Sequence, residues 1–93
     1  MGYKIIKDNV HTKEDEKKYS LVGKEYDDYK GGKHRIRLLD DDGNVYLYML
    51  SDLDYVEGNF YEEQGFAPLD RFMNVYGCTE LQYKGKNGEY VQL

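Results

Sequence analysis

The sequence has no tryptophan, one cysteine and one proline, and across residues 38–70 it has neither lysine nor arginine. A lone Cys78 excludes an intrachain disulfide and any multi-cysteine metal site, which points to a reducing, cytoplasmic setting. The longest uninterrupted apolar run, Val45 to Leu50, is far too short to span a bilayer. The opening Met-Gly-Tyr-Lys-Ile-Ile-Lys lacks the apolar stretch of a signal peptide, and Ile6 stands where a myristoylation motif needs Ser or Thr. There is no RNP motif, helix-turn-helix pattern or zinc-ligand spacing.

The 93 residues allow one domain with a modest core, and eleven tyrosines with three phenylalanines suit twisted strands better than a helical bundle. The region around which the chain is organised runs from His34 to Leu50. Two runs rich in Ile, Leu, Val, Tyr and Met flank Asp-Asp-Gly-Asn, the signature of a hairpin with Gly43 at the left-handed position. A three-residue loop, Asp41-Asp42-Gly43, would pair Leu38 with Tyr46. A slip of one residue pairs Leu38 with Leu47 and Ile36 with Met49. The second register is favoured, because it gathers Ile36, Leu38, Val45, Leu47 and Met49 on one face and Arg35, Arg37, Tyr46 and Tyr48 on the other.

Tyr3–Lys7 reads as a strand, His11–Lys18 equally as an exposed helix capped by Thr12 or as a mobile loop, and Tyr19–Val22 as a further short strand. Ala67–Tyr76 carries the proline where a helix begins, before Gly77 where one stops, with Leu69, Phe72 and Met73 at helical spacing. Asn87-Gly88 marks a second hairpin. The expected fold is therefore α+β, mainly β, a single domain over 1–93 with 1–33 its least regular part. An antiparallel sheet of about five strands near 3–7, 34–40, 45–50, 79–84 and 89–93 carries one short helix near 68–75. Ile5, Ile36, Leu38, Val45, Leu47, Met49, Leu69, Phe72, Leu81, Tyr83 and Val91 form the expected core.

No catalytic signature emerges, and the expectation is that the protein is not an enzyme and needs no cofactor or metal. A calcium loop beginning at Asp40 would need Gly and Glu where Val45 and Ser51 stand. Cys78, His11 and His34 sit in unrelated contexts, and paired carboxylates such as Glu62-Glu63 are commoner as acidic surface than as acid–base pairs.

Charge is the informative quantity. Residues 1–37 carry a net +3, residues 38–70 a net −9 and residues 71–93 a net +1. The acids Asp41, Asp42, Asp52, Asp54, Glu57, Glu62 and Glu63, interleaved with Tyr46, Tyr48 and Tyr55, suggest spaced negative charge with aromatic anchors, a surface that imitates a phosphate backbone to the basic groove of a nucleic-acid-binding protein or nuclease. The bland alternative is a solvated acidic face. Lys30, Lys33, Arg35 and Arg37 make a small basic patch, but with nine uncompensated acids following in sequence, direct nucleic-acid binding is not expected, and neither is membrane binding. A monomer or weak homodimer is expected.

Four stretches, Arg37-Leu-Leu-Asp-Asp-Asp-Gly-Asn-Val-Tyr46, Phe66-Ala-Pro-Leu-Asp-Arg-Phe72, Gly77-Cys-Thr-Glu-Leu-Gln-Tyr83 and Gly88-Glu-Tyr-Val-Gln-Leu93, resemble a pattern in small uncharacterised accessory proteins of phages, plasmids and conjugative elements. Tyr90 stands where such proteins often have Trp. The resemblance implies a mobile-element setting, in which small acidic accessory proteins include inhibitors of CRISPR and restriction enzymes. An anti-CRISPR or antirestriction-like mimic acting by stoichiometric binding is the leading expectation. An assembly module of a virion or conjugation machine, and a small enzyme using clustered carboxylates or Cys78, are the alternatives.

Overall fold

In the computed structural model, which describes residues 1–93, the strands β1 (Tyr3–Asp8), β2 (Glu25–Tyr26), β3 (His34–Leu39), β4 (Val45–Ser51), β5 (Glu80–Lys84) and β6 (Tyr90–Gln92) form one antiparallel sheet in the order β2-β1-β4-β3-β5-β6. The helix α1 (Glu62–Tyr76) covers one face. The fold is α+β and mainly β, with six strands rather than the expected five; the addition is β2, two residues held by pairing with Tyr3 and Lys4.

The central hairpin shows that the two registers are compatible. Asp40 and Asn44 close a three-residue loop, with Gly43 at φ 84° and its N–H on the Asp40 carbonyl. Leu39 then pairs with Val45, but Leu38 pairs with Leu47 and Ile36 with Met49. Tyr46 is the extra residue, a bulge that converts the register set by the turn into the one demanded by the apolar face. Its hydroxyl donates to Asp40 Oδ2 at 3.2 Å.

The expected helix near 68–75 starts six residues earlier, at Glu62. Gln64 reaches back to accept the Tyr61 N–H at 3.1 Å, and Glu62 and Glu63 lie in the first turn, where the helix dipole favours negative charge. Pro68 is therefore inside the helix and not at its start; its ring is buried against the sheet, and its missing N–H leaves the Gln64 carbonyl without a helical donor. Gly65, Pro68, Leu69 and Phe72 form the buried stripe.

The core comprises Tyr3, Ile5, Ile36, Leu38, Leu47, Met49, Leu69, Phe72 and Leu81, joined by Leu21, Leu53, Tyr55 and Cys78 from the connections. Val45 and Tyr83 are half-buried, and Val91, on the edge strand β6, remains 42% exposed. Tyr19–Val22 is not a strand: a single 3-10 turn at Lys17–Tyr19 is followed by Leu21, which drops into the core. No helix is long and apolar enough to cross a membrane.

Candidate functional site

The acids singled out in the sequence do not share one surface. Asp41 and Asp42 lie at the β3–β4 turn, before β4, while Asp52, Asp54, Glu57, Glu62 and Glu63 follow it. The seven residues of β4 place roughly 20 Å between the two groups. Several acids are also occupied in holding loops. Asp52 accepts the backbone N–H groups of Gly2 (2.9 Å), Lys30 (2.8 Å) and Gly32 (2.7 Å). Desolvation opposes its charge, but these three donors outweigh it and keep the carboxyl below its usual range. Asp54 accepts from the backbones of Val56 and Glu57, both at 3.1 Å, and Asp41 accepts from the Thr79 hydroxyl. Asp42, Glu57, Glu62 and Glu63 are exposed and form no ion pair.

The three tyrosines separate as well. Tyr55 is 4% exposed, stacked at 5.7 Å on Tyr83, and its hydroxyl donates to the Gly65 carbonyl at 2.7 Å. It is a core residue. Tyr46 is spent on the hairpin bulge, and Tyr48 emerges on the sheet face opposite α1.

That open face is where chemistry-bearing side chains converge. Register places Lys7, Tyr48, Arg37, Gln82 and Gln92 in one row across β1, β4, β3, β5 and β6, with Lys4, Leu50 and Arg35 in the row beside it. Alternation explains most of this composition, and the bulge between Ile5 and Lys7 brings Lys7 to the same face as Lys4. The Arg37 guanidinium carbon lies 4.0 Å from the centre of the Tyr90 ring, and its Nε donates to Gln82 Oε1 at 2.8 Å. Tyr90 meets Tyr48 edge-on at 6.4 Å, and Lys7 stands 5.6 Å over Tyr48. Lys4 is 4.0 Å from Glu25, but Lys7, Arg35, Arg37 and Lys84 have no carboxylate partner. Arg37 is thus a half-buried cation whose plane is fixed by an aromatic ring and an amide, with its terminal nitrogens uncommitted.

The groups considered for catalysis do not assemble. His11 Nδ1 is 2.8 Å from Asp8 Oδ2, and the Asp8 side chain, 1% exposed, also accepts backbone N–H groups of Val10, His11 and Leu21. Burial works against the Asp8 charge, but the His11 ring and these backbone donors hold its carboxyl below the usual range, which marks a loop clasp. Asp8 pairs with Leu47 and His34 with Ser51, so the two histidines lie toward opposite ends of β4. Cys78 is fully buried, and burial pushes its thiol up, away from the nucleophilic thiolate. A cavity of about 250 Å³ between α1 and the ends of β1 and β4 is lined by Tyr3, Leu53, Tyr55, Glu63, Ala67 and Pro68 among others, and contains neither histidine nor cysteine.

Arg35, Arg37 and Tyr48 were legible in the sequence as the polar side of the hairpin. Lys4, Lys7, Gln82 and Tyr90 were not, because only the order of strands in the sheet brings them to the same face. No protein-family model, curated protein or solved structure matches the chain.

Proposed function

We propose that the protein works by stoichiometric binding, without turnover, and that its recognition surface is the open face of the sheet, which takes an anionic partner. The supporting observation is Arg37, desolvated on one side, stacked on Tyr90, hydrogen-bonded to Gln82 and unmatched by any carboxylate. A guanidinium prepared in this way loses little side-chain freedom when it meets an anion. Retention on a sulfated-polysaccharide column tests the reading directly. A chain of net charge −5 should pass through unless its cations act together from one face. Retention that salt reverses, and that Arg35→Gln with Arg37→Gln abolishes, is expected; passage at low salt would overturn the proposal.

A second reading rests on α1. Glu62, Phe66 and Asp70 recur every fourth residue, with Glu63 beside them, giving an exposed acidic row around a half-buried ring on the other side of the molecule. This row is the part of the acidic segment still free to imitate a phosphate backbone, and it supports an anti-CRISPR or antirestriction-like inhibitor of a mobile element. Pull-down from bacterial lysate, wild type beside a variant with Glu57, Glu62 and Glu63 changed to Gln and Asp70 to Asn, tests it. A basic nucleic-acid-binding protein captured only by the wild type is the result this reading requires.

A further inference from the structure

Resting on the proposed anionic docking face, we propose that its occupant is single-stranded nucleic acid, with bases stacked at Tyr48 and Tyr90 and phosphates held by Arg37, Arg35 and the flanking lysines. Charge complementarity is the first argument. Lys4, Arg35, Arg37 and Lys84 belong to this face by strand alternation and Lys7 by the bulge between Ile5 and Lys7, against Glu25 and Glu80 alone. The acids that give the chain its negative balance are elsewhere: Asp41 and Asp42 at the hairpin tip, Asp52 and Asp54 in loop clasps, Glu62, Glu63 and Asp70 on the helix behind the sheet. The sheet sorts charges by face, so a stretch of sequence with net −9 does not repel an anion in front of Arg37.

The second argument is the pairing of those cations with rings and amides. Phosphate alone would need only lysines. Tyr48 and Tyr90 meet at 6.4 Å on the same surface, and the Gln82 amide donates to Gln92 at 3.5 Å, leaving polar edges beside the rings. Aromatic rings, a planar guanidinium and side-chain amides are the groups that stack on bases and read their edges. An acidic peptide would use the cations and leave the rings idle.

The third argument is shape. From Lys7 to Gln92 the row crosses four strand intervals, about 19 Å at the usual spacing, room for two or three splayed nucleotides. No helix or protruding ribbon rises from this face to enter a duplex groove, because α1 lies on the reverse side. The face is matched to an open strand.

Fluorescence anisotropy with labelled oligouridylate and oligothymidylate of about twelve nucleotides, beside a duplex and an oligoglutamate peptide of equal charge, tests the inference; both single strands carry the shared chemistry, and comparing them separates an RNA source from a DNA one. Single strands should bind more tightly than duplex or peptide. Tyr48→Ala and Tyr90→Ala should each weaken binding about five-fold or more, Tyr90→Phe should retain it, and Arg37→Gln should reduce the salt slope by roughly 0.7. Unchanged circular dichroism confirms that each variant folds. Arg37-dependent binding of the peptide without binding of either oligonucleotide would overturn this inference and leave the docking face standing. Binding of neither, or binding indifferent to all these variants, would overturn both.

Discussion

Along β3, Ile36 and Leu38 point toward α1 while Arg35 and Arg37 point away, and the same division runs through β1, where Tyr3 and Ile5 alternate with Lys4, and β4, where Leu47 and Met49 alternate with Tyr48 and Leu50. On the helix side the side chains are almost wholly apolar, and those of the central strands are below a tenth exposed. On the open side, Leu50 apart, they are cationic, aromatic or amide, half-buried at Arg37, Tyr48, Gln82 and Tyr90 and exposed at Lys7, Arg35 and Gln92, with Arg37 on Tyr90, Lys7 on Tyr48 and Gln82 on Arg37. One face therefore carries stability and the other is the proposed recognition surface, and substitutions should separate the two properties.

The largest effects on stability belong to the helix side. Leu38→Ala or Met49→Ala removes a side chain with no exposed surface and should cost about 2–5 kcal/mol in urea denaturation. A change of less than about 1 kcal/mol would mean that the two faces do not differ in how tightly they are packed.

The clasps come next. Asp52→Asn puts an NH2 where one of the two accepting oxygens stood, leaving at least one backbone N–H without an acceptor, and should cost about 2–3 kcal/mol. Because the folded-state carboxyls of Asp8 and Asp52 lie below their unfolded values, their contribution is present above the unfolded value near 3.8 and is lost as pH falls through the folded one. Acid titration of the fold should therefore show a later unfolding midpoint in the wild type than in Asp52→Asn. The alkaline limb has the opposite origin. Burial, partly offset by Arg71, pushes the Tyr3 hydroxyl up to about 12 from 10, so stability is complete below pH 10 and declines as pH rises toward 12. Tyrosinate absorbance and unfolding should rise together there, and Tyr3→Phe should move the unfolding to higher pH.

Smallest in stability, and sharpest for the comparison, are Arg37→Gln and Tyr90→Ala. Each should shift stability by no more than about 1 kcal/mol, the range of exposed cation–ring contacts, while removing retention on a polyanion or weakening it strongly. A loss of stability equal to that of Leu38→Ala would merge the two faces into one structural unit.

Much of this division was legible in the sequence. The period of two in Arg35–Leu38 and Leu47–Leu50 was enough to choose the register and sort most of the hairpin, although not to see that Tyr46, left out of the pairing to reconcile register with turn, would pack against the core where Val45 was expected. The helix start was missed because Pro68 is a common first helical residue, and only burial of its ring explains its place in the interior. The arrangement of the acidic segment was hidden for a different reason. Asp52 finds its partners 50, 22 and 20 residues away, and Tyr55 finds Tyr83 across the core. A local charge count records neither, and it also hides Lys4 and Lys7, which reach the face of Arg37 only because β1 inserts beside β4.

The Asp52 carboxylate has a consequence in time as well as in space. It joins the start of β1, the loop at Lys30–Gly32 and the end of β4, three parts of the chain that meet only when the sheet is nearly complete. A contact that forms after the transition state governs how long the native state survives more than how fast it is reached. Stopped-flow measurements on Asp52→Asn should find the refolding limb of the chevron close to that of the wild type and the unfolding limb raised, so that one carboxylate sets the lifetime of the folded chain more than the speed of its formation.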